Sequence, residues 1–134
     1  MTAFASTDEA TRYISGVFEA GFADPEICAQ LVKSGLVLRM ELSDPDALIT
    51  VDTGSQRIDV GATDLVENMT LTLSSETANK FWQGKVSIPL AVARGQIKVA
   101  GQLPKLLGLL PSAKKLNAQY VDRLRADGRE DLVF

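Results

Sequence analysis

The stretch from Met69 to Leu110 reads MTLTLSSETANKFWQGKVSIPLAVARGQIKVAGQLPKLLGLL, and the fold turns on how it is read. Met69, Leu71 and Leu73 alternate with Thr70 and Thr72, the period of a strand with one buried face. Ser74 and Ser75 follow as N-cap candidates for a short helix ending in Phe81-Trp82-Gln83-Gly84-Lys85. Ser87 with Pro89 opens a further apolar helical turn through Leu90 and Val92, and Gly95 resets the chain for a second alternating strand, Gln96 to Ala100, carrying Ile97 and Val99. Leu103, Leu106, Leu107 and Leu110 then share one helical stripe, with Leu109 outside it. Gly108 weakens that helix by about 1 kcal/mol relative to alanine, and Pro111 predicts its end. The stretch is more apolar than its short elements need for packing on one another. We expect the excess to line a cavity for a lipid chain.

Working outward, the 134 residues predict one domain, with roughly two thirds of the unfolded chain's surface buried on folding. A composition of 46% hydrophobic and 23% charged residues is ordinary for a globular chain. The richest apolar runs, Val86 to Ala93 and Leu106 to Ala113, reach only eight residues, well short of the ~18 a membrane-spanning helix needs. Met1 to Ser6 lacks the basic and apolar regions of a secretory signal, and Asp131 to Phe134 is not a Ser-Lys-Leu peroxisomal address, so a cytoplasmic location is expected. The single cysteine, Cys28, excludes an intramolecular disulfide and is expected as a small core residue. Without any histidine the common zinc and iron ligand sets, and the triads that use a histidine base, cannot be assembled. Neither catalysis nor a cofactor is expected.

Charge is unevenly spread. Residues 1 to 70 carry four basic and twelve acidic side chains and residues 71 to 134 carry ten and five, so the halves stand near −8 and +5. Two readings follow: the second half faces anionic partners, such as a carboxylate, a phosphate or an anionic membrane surface, or the halves pair with each other. Nucleic acid is not expected, because the bases stand singly and are not interleaved with aromatics.

A first helix is predicted after Thr7, with Asp8 and Glu9 in its first turn and Ala10, Tyr13, Ile14, Val17 and Phe18 on one stripe; Gly21 is read as its stop. Asp24-Pro25-Glu26 restarts a helix that places Ile27, Cys28, Leu31 and Val32 on one side and stops at Gly35. From Leu36 the period becomes two, with Leu36, Leu38, Met40 and Leu42 on one face. Turn signals at Asp44-Pro45-Asp46 and Thr53-Gly54-Ser55 then separate strands Ala47 to Asp52 and Gln56 to Val60. Connections this short make an antiparallel meander. A final amphipathic helix is predicted from Ser112 to Ala126, with a loose polar tail from Asp127.

Two helices, a three-strand meander, a strand into a helix ending Trp82-Gln83-Gly84-Lys85, a short apolar helix, and the strand Gly95-Gln96-Ile97-Lys98-Val99-Ala100-Gly101 before a leucine-rich helix: this order resembles the sterol carrier protein 2 domain. The resemblance in order covers nearly the whole chain, and the matching residues concentrate in Thr70 to Leu73, Phe81 to Lys85, Ala91 to Ala93 and Gly95 to Leu107. It implies an α+β fold, a mainly antiparallel five-stranded sheet covered by helices on one face, with an apolar tunnel between sheet and helices. It also implies binding of sterols, fatty acids, isoprenoid-like lipids or acyl-coenzyme A without catalysis. The chain departs from the eukaryotic members in lacking their C-terminal address and a fused enzyme domain, and it looks like the accessory proteins of lipid and quinone pathways.

On this reading the ligand lies against Phe18 of the first helix, against Met40, Met69, Leu71, Leu73, Ile97 and Val99 of the sheet, against Phe81, Trp82, Leu90 and Val92 of the short helices, and against Leu103, Leu106, Leu107 and Leu110. Phe81 and Trp82 point about 100 degrees apart on a helix, so at most one lies deep in the core. The Leu103 to Leu110 helix is read as a gate, with a homodimer patch or a docking face for a partner enzyme as alternatives. A sixteen-carbon chain buries about fourteen methylenes at roughly 0.8 kcal/mol each, on the order of 11 kcal/mol against water. A partly exposed ion pair with its head group adds only about 0–1 kcal/mol. Chain burial would therefore set affinity, and exchange with a bilayer, where the chain is already in hydrocarbon, would be nearly neutral.

Overall fold

The computed structural model describes residues 4–134. Met1 to Ala3, the opening of the segment weighed against a secretory signal, lie outside the described residues. The first helix, α1 (Thr7–Ala23), starts where Ser6 accepts a hydrogen bond from the Glu9 amide, and α2 (Pro25–Ser34) starts where Asp24 accepts from Glu26 and Ile27. Gly21 does not end α1. It is buried within the helix, where a Cβ in its place would meet Leu31, Ile27 and Leu116 at ordinary contact distance, and the chain turns only at Asp24. On α2, Ile27 and Leu31 are buried, whereas Cys28 is only half-buried and Val32 is exposed.

The three strands β1 (Val37–Ser43), β2 (Ala47–Asp52) and β3 (Arg57–Val60) form the antiparallel meander expected. The next strand, β4 (Met69–Ser74), does not continue it at the free edge. It lies parallel to β1, with Leu38 beside Met69 and Leu42 beside Leu73, and β5 (Ile97–Gly101) adds antiparallel to β4. The order is β3-β2-β1-β4-β5, a mixed sheet in which the central ladder is parallel and the other three are antiparallel. Asn68 fixes this choice. Its side chain accepts from the Val37 amide (2.9 Å) and donates to the Gly35 carbonyl (2.9 Å), while its own amide donates to Val37 O (3.0 Å). The connection from β3 turns back beside the polar face of the meander, where Thr63 bonds Asp59 and Asp64 pairs with Arg57.

One face of the sheet carries Leu38, Met40, Leu42, Ile49, Val51, Met69, Leu71, Leu73 and Ile97, all buried, and the alternate positions of β1, β4 and β5 carry Arg39, Glu41, Thr72 and Lys98. The helices lie on the apolar face. After β4 come α3 (Ser75–Trp82), capped by the Ser74 hydroxyl on the Thr77 amide, and α4 (Ile88–Ala93). Then α5 runs unbroken from Leu103 to Ala126. The sequence predicts two helices divided at Pro111, and the structure has one. Pro111 sits on the exposed side of α5, and the helix passes through it.

The segment after α5 is not loose. A short 3-10 turn, Glu130–Leu132, buries Leu132. The Leu132 carbonyl accepts from Asn79 (2.9 Å) and Gln83 (2.8 Å), and Gln83 also accepts from the Phe134 amide (2.8 Å). Arg129 pairs with Glu9 of α1. The segment that reads as a solvated tail is therefore tied down, its backbone to Asn79 and Gln83 and its Arg129 to α1.

Candidate functional site: an apolar cavity beneath the helices

Between the apolar face of the sheet and the helices lies a cavity of about 80 Å³. The sheet supplies Leu38, Met40, Leu71, Leu73 and Ile97; α1 supplies Val17, Phe18 and Gly21; α2 supplies Ile27 and Leu31; α3 and α4 supply Ala78, Phe81, Trp82 and Ile88; and α5 supplies Leu106, Leu109, Leu110, Ala113 and Leu116. Its two polar lining residues are both engaged elsewhere. The Thr53 hydroxyl donates to Leu36 O (2.7 Å) and the Ser112 hydroxyl to Gln30. The lining therefore offers almost entirely hydrocarbon contact and no charge, an environment that accepts alkyl groups and rejects charged ones.

Trp82 is buried against this cavity, edge-on to Phe18 at 5.6 Å and to the half-buried Phe81 at 4.9 Å. Phe81 also faces outward, into a groove of about 440 Å³ lined by Gly84, Val86, Ser87, Ile88, Pro89, Leu110, Ala113, Lys114 and Asn117. Phe81, Ile88, Leu110 and Ala113 line both spaces and form the partition between them.

This is not the open tunnel that the sequence predicts. A cavity of about 150 Å³ is needed to hold benzene, so the inner space as it stands takes less than a ring. A methylene needs about the room of a water, roughly 30 Å³, which puts a fourteen-methylene chain on the order of 400 Å³. That exceeds the inner cavity on its own. Phe81 and Leu110, both expected at the ligand site, line the cavity and the groove alike.

Of the sequence-predicted site residues, Phe18, Met40, Leu71, Leu73, Phe81, Trp82, Ile97, Leu106 and Leu110 line the inner cavity. Met69 is buried in the core at the far end of β4, and Leu90 is exposed. Val92, Val99, Leu103 and Leu107 are half-buried against the core and outside the cavity lining. Sequence reasoning missed Leu38 and Leu36, although they share the period-two face of Met40, and it missed the α2 pair Ile27 and Leu31, although their stripe was visible. Gly21 and Ser112 carried no such signal. Among the described residues no cluster of His, Cys, Asp or Glu is placed to hold a metal ion, and no helix is long and apolar enough to cross a membrane.

Compared by sequence, the chain matches no protein family model and no curated protein. Compared by structure, it matches the sterol carrier protein domain 2 of Helicoverpa armigera with a TM-score of 0.64 at 17% identity, over 80% of this chain and 87% of that one. The fold is that of a sterol carrier protein 2 domain. The same fold is seen in palmitated SCP2L2 from Aedes aegypti (TM-score 0.56, 17% identity, 77% of this chain and 92% of that one). A ubiquinone synthesis protein, UbiJ-SCP2, shares it as well (0.55, 15%, 75% and 89%). In this chain the sterol carrier protein 2 fold places its apolar cavity where the sheet, α1, α2, α3 and α5 converge, with α5 as the outermost cover.

Proposed function

We propose that the protein binds a single-chain lipid in the apolar cavity and exchanges it between reservoirs, without catalysing a reaction on it. The observation that carries this reading is the lining: apolar side chains from the sheet and all five helices around one cavity, with both hydroxyls already bonded. The palmitated domain from Aedes aegypti supports it as a precedent for a fatty acyl group in this fold. Fatty acid or acyl-coenzyme A, sterol and isoprenoid-like chains all present the hydrocarbon that such a lining takes, and we place the exchange in the cytoplasm. The cavity lining holds no acid or base, and its two hydroxyls, Thr53 and Ser112, donate to Leu36 O and Gln30, which favours a carrier over an enzyme.

A second reading has an observation of its own. Similarity to the ubiquinone synthesis protein favours an accessory module, in which the half-buried Leu103, Leu107, Leu109 and Leu110 dock on an enzyme of lipid or quinone synthesis.

Trp82 is the only tryptophan and lines the cavity, so one titration separates the two. Under the carrier reading its emission changes saturably when palmitate is added below its micellar threshold, and organic extraction of the purified protein yields stoichiometric lipid. An unresponsive Trp82 together with a lipid-free extract excludes the carrier and leaves the accessory module.

A further inference from the structure

We propose that the outer groove between the α3–α4 link and α5 is the seat of the ligand's head group, that the head group is the carboxylate of a free fatty acid held by Lys114, and that the chain reaches the inner cavity past Phe81 and Leu110. The proposal rests on the lipid-binding reading above and adds to it the chemistry of the head, its position and the route of the chain.

Three observations carry it. The inner cavity is lined by no charged residue and both of its hydroxyls are committed, so a charged head must stay outside it. The groove is the neighbouring space, about 440 Å³, and shares the partition of Phe81, Ile88, Leu110 and Ala113 with the cavity. Of the residues lining the groove, Lys114 alone is charged. With its amide oriented to satisfy its neighbours, Asn117 donates to Trp82 O (2.8 Å) and Ala113 O (3.3 Å), whereas Ser87 stands at the start of α4 with its hydroxyl making no capping bond. One cation and one free hydroxyl suit a head with a single negative charge; a head carrying several phosphates calls for several cations.

The surroundings agree in sign. From Gly84 to Val121 the chain carries Lys85, Arg94, Lys98, Lys105, Lys114 and Lys115 and no acid. Among the described residues only Lys115 of these six is paired, with Glu26 at 2.6 Å. Within the segment that supplies the groove all charge is of one sign, which favours an anionic head there over a cationic one. The backbone supports movement of the partition: Leu110 lies between Gly108, where an added Cβ would meet nothing within 4 Å, and Pro111, which lacks the amide for a helical bond.

Dodecanoate and dodecan-1-ol share a chain and differ in head charge, and Trp82 emission reports both. The expected result is that Lys114→Gln weakens dodecanoate by about two- to fivefold, the scale of an exposed ion pair, and leaves dodecanol unchanged. Leu110→Ala, which thins the partition, is expected to speed association of both ligands. Equal responses of the two ligands to Lys114→Gln overturn the head-group seat while the lipid reading stands, and association rates unmoved by Leu110→Ala overturn the route. Failure of the unsubstituted protein to bind either ligand removes the lipid reading and this proposal with it.

Discussion

From Leu116 onward α5 is held on several sides. Leu116, Tyr120 and Leu124 are buried, the Tyr120 hydroxyl donates to Asn79 at 2.6 Å, and the Arg123 guanidinium lies over the Tyr13 ring at 5.2 Å, in space that any side chain at Gly16 would fill. Burial pushes the Tyr120 phenol above its ordinary value, so it remains a protonated donor to Asn79. From Leu103 to Leu110 the same helix has one buried residue, Leu106. Its other leucines are half-buried, and no side-chain hydrogen bond caps its start. One helix thus serves as a fixed strut at its C-terminal end and as a thin cover over the cavity at its N-terminal end. If the N-terminal half acts as the gate expected of it, fixing and gating are separated along a single element, and the cover would move without unfolding the domain.

The same chemical change at the two ends should therefore differ most in its cost. Leu124 is fully buried, and Leu124→Ala is expected to destabilise by about 2–5 kcal/mol in urea denaturation, whereas Leu107→Ala should cost about 1 kcal/mol or less. Equal losses would break the comparison. A smaller effect of opposite sign is expected at Gly108. Its place in a helix with open space around it means that Gly108→Ala should add about 1 kcal/mol of stability and slow ligand exchange, measured by urea titration and by stopped-flow fluorescence of Trp82.

Much of this arrangement is legible in the sequence, and the failures have physical causes. Period-two runs fix the inward faces of β1 and β4, and caps at Asp24 and Ser74 fix where α2 and α3 begin. The position of β4 is not legible, because short turns constrain only strands that follow one another, and the eight residues between β3 and β4 permit pairing at either edge of the meander. Gly21 and Pro111 both read as breaks. Gly21 lies buried within α1 and Pro111 sits on the exposed side of α5, and neither stops its helix. The polar residues Asn79, Gln83 and Arg129 have their meaning only once α3, α5 and the final turn are brought together. The apolar character of the site is visible in Leu71, Leu73, Ile97 and Leu106, but its division into a cavity and a groove depends on how Phe81 meets Leu110 across two elements.

Amide hydrogen exchange along α5, measured with and without palmitate, tests most directly whether the cover and the cavity beneath it belong to one lipid site. The account predicts that residues 103–113 exchange far faster than residues 116–126 in the protein alone, and that palmitate protects the first segment selectively. Uniform protection along the helix without ligand, or no change in the first segment when palmitate is added, would contradict it.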